Sequence, residues 1–74
     1  MLHLHALLEE RNVSKAANRN HITQSAMSHA LKRLRILFKD ELLTRVGNEM
    51  LMTPLGRKVH LDLELCLINF HDLI

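Results

Sequence analysis

The side chains best suited to bind a partner lie on one face of a helix that the sequence predicts over residues 23–38. At about 100° per residue, this helix has an apolar face and an opposite face of short polar and basic groups. Apart from Ile36, the residues of that outward face can hydrogen-bond: Ser25, Ser28, His29, Lys32 and Arg33. Short side chains near the start of the helix allow close approach to another surface, and the cations farther along suit a polyanion. The pattern therefore favours a helix that lies in the major groove of DNA.

An ordinary amphipathic helix with a solvated outer face has the same periodicity, and the charge pattern around the helix separates the two interpretations. From Arg11 to Lys39 the chain carries seven lysines and arginines and no aspartate or glutamate. A solvated face usually mixes the two signs, because acidic and basic residues pair across a helical turn. A run of one sign within a folded segment indicates an anionic partner.

The composition predicts one small helical domain. The 74 residues are 47% hydrophobic with two aromatic side chains, so the core must be aliphatic, and two glycines with one proline leave little room for a β architecture of many turns. The single cysteine, Cys66, excludes an internal disulfide and a multi-cysteine zinc site. The sequence has no apolar run near 18 residues and no secretory leader, so we expect a cytoplasmic protein without a membrane partner.

Around the predicted central helix, the residues indicate a helix-turn-helix. The sequence predicts a first helix near residues 1–11 and a short second helix over 14–20, capped by Ser14. Thr23 then caps the central helix after a short turn, and small residues lie where the two helices cross. The predicted core consists of residues from all three helices and the turn: Leu4, Leu7, Leu8, Ala17, Ile22, Ala26, Met27, Leu31, Leu34 and Phe38. Ala30 and Leu37 extend the same apolar face of the central helix.

A β-hairpin and a long final helix complete the predicted structure. Two short strands lie between about residues 43 and 52, and Gly47-Asn48 supports a tight turn between them. Arg45 is the only cation of this hairpin, and it could contact a DNA phosphate or the minor groove, or simply pair with Glu49 or Glu41. Thr53 and Pro54 are typical of the start of a helix, which we expect over 54–74.

That last helix is apolar on two sides. One seam steps by four and three residues, and a second stripe lies on roughly the opposite side. The seam contains Val59, Leu63, Cys66, Phe70 and Leu73, and the stripe contains Leu61, Leu65 and Ile68. The rest of the domain can cover one side, so the other needs a partner, most simply the same helix of a second copy. A missing downstream domain is the alternative cover.

Catalytic and metal-binding patterns are not found in the sequence. It has no glycine-rich phosphate loop, no nucleophile elbow and no His-x-x-x-His with a nearby carboxylate. His3 and His5 lie on different sides of the first helix, and Cys66 lies on an apolar seam where packing is the expected role. We therefore expect no enzymatic activity, no cofactor and no metal ligand.

Several segments jointly resemble the DNA-binding domain of LysR-type transcriptional regulators. They are Ser14-Lys15-Ala16-Ala17, Ile22-Thr23-Gln24-Ser25-Ala26-Met27-Ser28, Leu31-Lys32-Arg33-Leu34-Arg35, Phe38-Lys39-Asp40-Glu41-Leu42-Leu43-Thr44-Arg45-Val46-Gly47 and Met52-Thr53-Pro54-Leu55-Gly56. The resemblance implies a mainly α fold: a winged helix-turn-helix of three helices with a two-stranded hairpin wing over residues 1–53, followed by a linker and dimerisation helix over 54–74. Residues 23–38 would be the recognition helix.

The resemblance also assigns roles to individual side chains. Gln24, Ser25, Ser28 and His29 would meet base edges or nearby phosphates, and Thr23, Lys32 and Arg33 would mainly hold phosphates. Gln24 at the positive end of the helix can also pair with adenine through two hydrogen bonds. Asn48 departs from the basic residue often found at the tip of the wing, and Asn20 departs from a buried leucine between the helices.

The resemblance further implies a homodimer on a dyad-symmetric operator. The predicted dimerisation residues all lie on the last helix: Val59, Leu61, Leu63, Leu65, Cys66, Ile68 and Phe70. Regulators of this kind are several times longer, so a small-molecule effector would act through a domain absent from this chain, which is expected to be an excised fragment or a naturally short protein. The alternative function is a small helical interaction module that acts through helix 54–74. An RNA-binding module would normally show exposed aromatic residues, and both phenylalanines lie at apolar-face positions.

Overall fold

The computed structural model describes the backbone of residues 2–73 and the side chains of residues 2–66. Four helices and one hairpin follow each other along the chain: α1 (Leu2–Glu10), α2 (Val13–Arg19), α3 (Gln24–Phe38), β1 (Leu43–Val46), β2 (Glu49–Met52) and α4 (Pro54–Leu73). This order confirms the predicted winged helix-turn-helix, and α4 follows its wing.

The ends of the helices follow capping chemistry, with one correction to the prediction. Thr23 caps α3 through a bond from the Ala26 amide at 3.1 Å, and Thr53 caps α4 through a bond from the Gly56 amide at 2.9 Å. The prediction of Ser14 as the cap of α2 was wrong, because Asn12 accepts the Lys15 amide at 2.9 Å and the helix begins at Val13. Asparagine and serine cap equally well, so sequence preference alone could not choose between them.

The core is formed where α1 and α2 pack against α3 and the start of the wing. Its buried residues are Leu4, Ala6, Leu7, Leu8, Ala16, Ala17, Met27, Ala30, Leu31, Leu42 and Leu43. Ile22, Leu34 and Phe38, which the prediction placed in the core, are partly buried against it.

Two residues of the predicted apolar face of α3 are exposed. Ala26, placed in the core by the prediction, is exposed, and so is Leu37 at 70% of its surface. On the helical wheel both lie about 80–100° from Met27, at the edge of the apolar arc. Since α1 and α2 pack on the centre of that arc, its edge stays in contact with solvent.

The hairpin is antiparallel, with Leu43 opposite Met52 and Val46 opposite Glu49. The two-residue turn needs a positive φ at its first position, which Gly47 supplies at 63°. Polar contacts fix the base of the hairpin. The Arg35 guanidinium donates to the carbonyls of Glu41 at 2.9 Å and Leu43 at 2.8 Å, and the Asp40 carboxylate accepts the Thr53 hydroxyl at 2.6 Å.

The beginning of α4 lies against the rest of the domain. Gly56 is buried, and a methyl group added there would meet the Leu42 carbonyl oxygen, so the absence of a side chain allows this close approach. One turn on, Val59 and then Leu63 pack against the core. No helix within residues 2–73 is long and apolar enough to cross a membrane.

The two apolar sides of α4 have different environments. Leu61 is 59% exposed and Leu65 is 50% exposed, while the opposite side carries Val59 and Leu63. Of the predicted dimerisation set, Val59 and Leu63 therefore pack partly buried against this chain's own core, and the set as a whole stays a prediction. Cys66 is exposed on the helix. Ile68, Phe70 and Leu73 lie outside the described side chains.

Candidate nucleic-acid interface

All the residues predicted to contact DNA are exposed. They are Thr23, Gln24, Ser25, Ser28, His29, Lys32, Arg33 and Arg45. All but the last lie in or at the start of α3. Ser25, His29, Lys32 and Arg33 lie on the side of the helix away from the buried Met27 and Leu31, and Thr23, Gln24 and Ser28 lie in its first turns. The packing of the helix against α1 and α2 thus turns its polar side chains toward solvent, as a surface that binds another molecule requires.

At the start of α3, a side-chain hydrogen bond orients Gln24. The Ser14 hydroxyl donates to the Gln24 side-chain carbonyl at 2.8 Å, which joins α2 to the first residue of α3. This bond occupies the carbonyl oxygen in part and leaves the two amide hydrogens of Gln24 as donors. The first turn of α3 also carries the positive end of the helix dipole, which favours an anion or an acceptor atom there.

An open concavity of about 690 Å³ separates the start of α3 from the wing. It brings together three of the predicted residues, Gln24, Ser28 and Arg45. It also adds Arg11 and Lys15, whose role was not predicted from the sequence. The signal that could have found these two cations was the acid-free run itself, which begins at Arg11.

The remaining predicted residues lie elsewhere on α3. Ser25, His29 and Lys32 are exposed but do not line this concavity. Arg33 lines a separate, mainly apolar concavity beside Leu2, Leu34 and Leu37. The candidate interface is therefore a surface along α3 with a recess at its first turn, and Arg33 lies at its border.

Ion pairing divides the cations of residues 11–39 into two groups. Arg19 pairs with Glu9 at 2.7 Å and Glu10 at 3.2 Å, and Arg35 pairs with Glu41 at 3.3 Å. Within residues 2–66, the others have no acidic side chain within salt-bridge distance: Arg11, Lys15, Lys32, Arg33 and Lys39. Their charge is therefore available to an anionic partner.

Arg45 belongs with the second group. The sequence left open whether it would pair with Glu49 or Glu41, and neither pair is formed among the described side chains. Glu41 instead pairs with Arg35. Arg45 is exposed on β1 and faces the recess that it shares with Gln24 and Ser28.

The corner between α1 and the helix-turn-helix is also polar, because the Asn20 side-chain amide bonds to the His3 ring at 2.8 Å.

The sequence of the chain matches a known family of bacterial regulatory proteins. The family described as "Bacterial regulatory helix-turn-helix protein, lysR family" matches residues 1–57. Nodulation protein D of Bradyrhizobium sp. (strain ANU 289) is 49% identical over 51 residues, which is 69% of this chain and 15% of that protein. Nodulation protein D 1 of Bradyrhizobium japonicum is 38% identical over 68 residues, 92% of this chain and 21% of that protein. The chain thus spans about a fifth or less of the length of these relatives.

Solved structures with the same fold include a probable transcriptional regulator and a DNA complex. A probable transcriptional regulator from Pseudomonas aeruginosa superposes with a TM-score of 0.86 at 38% identity, covering 96% of this chain and 24% of that chain. The BenM DBD in complex with catB site 1 DNA superposes with a TM-score of 0.82 at 25% identity, covering 97% of this chain and 81% of that chain.

Proposed function

Because this chain belongs to the LysR family of bacterial regulatory helix-turn-helix proteins, we propose that it binds double-stranded DNA as the DNA-binding part of a transcriptional regulator. The observation that carries the proposal is the outer face of α3, defined as Ser25, Ser28, His29, Lys32 and Arg33. Every one of these side chains is exposed and can form hydrogen bonds, and among the described residues His29, Lys32 and Arg33 have no acidic side chain within salt-bridge distance. A DNA complex among the similar structures supports the same assignment.

In the proposed complex, α3 lies in the major groove with its first turn against the base edges. Gln24 donates through its amide to a base acceptor, or pairs with adenine through two bonds if the Ser14 contact is exchanged. Ser28 lies one turn farther along the same recess. Thr23, Lys32 and Arg33 hold phosphates and set the register, and these contacts carry affinity with little sequence information.

Arg45 extends the proposed contact to the wing. It is exposed and unpaired among the described side chains, and it lines the recess next to Gln24. A phosphate or the minor groove beside the recognition helix would satisfy its charge. Arg11 and Lys15 line the same recess, whose lining also includes Glu10 and Glu49, so that with Arg45 three cations face two acids there.

The proposed active form is a homodimer that meets a dyad-symmetric operator. Leu61 and Leu65 are at least half exposed on α4. They leave an apolar stripe to which a second copy of the helix can bind. Burial of each leucine contributes on the order of 1.5–3 kcal/mol. Two-fold symmetry would then hold two recognition helices at a fixed distance. A binding role of this kind, in the bacterial cytoplasm and without enzymatic chemistry, fits the family, and any small-molecule effector would act through a further domain.

A salt titration of DNA binding tests the proposal. Duplexes selected by the chain from a random library are compared with random duplexes by fluorescence anisotropy, between about 50 and 200 mM salt. We expect affinity for both to fall steeply with salt, and the selected duplex to bind more tightly throughout. Affinities that barely change with salt would contradict the proposal, since phosphate contacts release counterions.

A further inference from the structure

Four metal-ligating side chains meet where α1 crosses α4, away from the outer face of α3. His5 and Glu9 lie one turn apart on α1, and His60 and Glu64 lie one turn apart on α4. One ligand atom from each residue lies within 4.8 Å of all the others. We call this group the junction cluster.

Four of the six separations between these atoms are close to those in a metal site, and all six are within 4.8 Å. His5 Nε2 lies 2.8 Å from Glu64 Oε1 and 3.2 Å from Glu9 Oε2. His60 Nε2 lies 3.5 Å from the same Glu64 oxygen and 3.7 Å from the same Glu9 oxygen. Ligand atoms bonded to tetrahedral zinc at about 2.0–2.1 Å are roughly 3.3–3.4 Å apart, which is the centre of this range.

His60 is the member that the protein alone does not satisfy. Its Nε2 atom is buried and has no hydrogen-bond partner among the described residues, although two carboxylate oxygens lie nearby. A buried polar atom without a partner costs free energy, and native structures contain few of them. A cation bound by all four groups would use this nitrogen and shorten its two long contacts at once.

The charges and the outer contacts of the cluster also suit a divalent cation. Two carboxylates and two neutral imidazoles balance a charge of two. The Arg19 guanidinium donates to the other oxygen of Glu9 at 2.7 Å. Arg19 thereby orients the carboxylate and leaves Oε2 directed at the cluster, as outer contacts do in metal sites.

The stacking of the histidines completes the arrangement. The His5 and His60 rings lie 6.1 Å apart between centroids, with 19° between their planes. Both rings present Nε2 to the same pair of carboxylates, one from each helix. Nitrogen and oxygen donors in a four-coordinate arrangement favour zinc over calcium or magnesium, which take six or more oxygen ligands.

We propose that His5, Glu9, His60 and Glu64 bind one zinc ion and that this ion fixes α4 against α1. The ion would link two elements that are 51 to 59 positions apart in the chain, which is the span between Glu9 and His60 and between His5 and Glu64. Zinc binding would stabilise the folded chain, because its ligands are assembled only when α4 packs on α1.

Direct titration of the metal tests the proposal. The 74-residue chain, prepared without a histidine tag and freed of metal with a chelator, is titrated with zinc against a chromophoric competitor. Titration with cobalt in place of zinc adds the visible absorption of a tetrahedral site. We expect one metal per chain, with nitrogen resonances of only the His5 and His60 rings shifted in NMR spectra. Binding without saturation, or shifts at other histidines, would overturn the proposal.

Two ligand variants and three matched controls locate the site. His60→Asn and Glu64→Gln each remove one ligand, and each should weaken zinc binding by roughly 100-fold or more, the upper end of the loss seen when even an outer contact is removed. His21→Asn replaces an exposed histidine with a residue that tolerates its φ of 57°, and Asp62→Asn replaces an exposed acid on α4. Cys66→Ser removes the thiol.

These three controls should bind zinc like the unmutated chain. Circular dichroism verifies that each variant keeps its helices. Unchanged affinity in both ligand variants, or a loss in Cys66→Ser equal to theirs, would place the metal elsewhere and overturn the proposal. The titration of the unmutated chain decides the question even if a ligand variant fails to fold.

Discussion

The outward sides of α3 and α4 differ in chemistry although both helices pack one side against the same core. The outer face of α3 is polar and basic, and its lysine and arginine have no acidic partner among the described residues. The outward side of α4 carries Leu61 and Leu65, which are exposed. One helix thus offers charge to a polyanion, and the other offers apolar area to a protein surface.

The difference shows how a small chain separates two recognition tasks. α3 contains no acid, although Glu10 and Glu49 line the recess at its first turn. Acids at the junction cluster, at the end of α1 and just after α3 pair with Arg19, Arg35 and the histidines. Ion pairs therefore hold elements together in one part of the domain and are missing where a partner must supply the opposite charge.

A charge on the apolar stripe should abolish assembly and leave the recognition surface intact. Leu65→Glu should give monomers, because it places an ionised carboxylate in the proposed two-fold contact. Affinity for a duplex with two half-sites should fall by about 100-fold to 10,000-fold, which is the range of avidity lost when two linked contacts become one. Affinity for a single half-site should not change.

Equilibrium sedimentation and anisotropy on both duplexes measure these effects. Leu65→Met is the matched control, since it keeps an apolar side chain of similar volume and should remain dimeric. A monomeric unmutated chain at micromolar concentration, with α4 still helical by circular dichroism, would assign the stripe to another domain.

Loss of the Gln24 amide should reduce discrimination between DNA sequences. Gln24→Ala should lower affinity for the selected duplex by about 1–3 kcal/mol, the value of a good bidentate base contact, with a much smaller loss on random duplex. Ser28→Ala should act in the same direction. The ratio of the two affinities is the measurement, and an unchanged ratio in Gln24→Ala would show that bases are read by other residues.

Removal of a phosphate contact should lower affinity for both kinds of duplex and leave the discrimination between them unchanged. Lys32→Ala should weaken binding to selected and random duplex about equally and reduce the slope of log affinity against log salt by about one. Lys58→Ala makes the same change on α4, where Lys58 is also exposed, and should leave the slope unaltered. Equal slopes for the two variants would show that Lys32 does not contact DNA phosphates.

The acid at the boundary between α3 and α4 should make stability depend on pH. The pKa of Asp40 is lowered from its ordinary value of 3.8, first by the hydrogen bond from the Thr53 hydroxyl and then by that from the Leu42 amide. Since the folded chain holds the carboxylate ionised, the stabilisation is present above the ordinary pKa and is lost as the pH falls through the lowered one.

Urea unfolding of Asp40→Asn measures this dependence. The variant should be less stable than the unmutated chain at pH 7, and the difference should shrink as the pH is lowered below the ordinary pKa of Asp40. Asp62→Asn, at an exposed position on α4, serves as the control. A difference that is constant over the whole pH range would mean that the contact is not electrostatic.

Much of the fold could be predicted from local chemistry. Thr23 and Thr53 are capping residues followed by clear helical patterns, and Gly47-Asn48 separates two short apolar runs. Sequence could not choose between Asn12 and Ser14 as the cap of α2, because both residue types cap well. It also could not show that Ala26 lies beyond the buried arc, since that depends on where α1 and α2 lie on α3.

The candidate sites were predictable to different degrees. The outer face of α3 is a local pattern, so its residues follow from helical periodicity and an acid-free run. The recess between Gln24 and Arg45 requires the position of the wing. The junction cluster was missed because its halves are far apart in the sequence, although each repeats the spacing His-x-x-x-Glu, at 5–9 and 60–64.

The attachment of α4 at its beginning has a mechanical consequence. Among the described side chains, the contacts of Gly56, Val59, His60, Leu63 and Glu64 lie within the first eleven residues of a helix of 20 residues. The nine residues after Glu64 extend the helix by about 14 Å, so a tilt of about 10° at the α1 crossing displaces its far end by roughly 2 Å. In the proposed homodimer the helix would therefore act as a lever with its fulcrum at the α1 crossing, and a tilt there would change the distance between the two outer faces of α3.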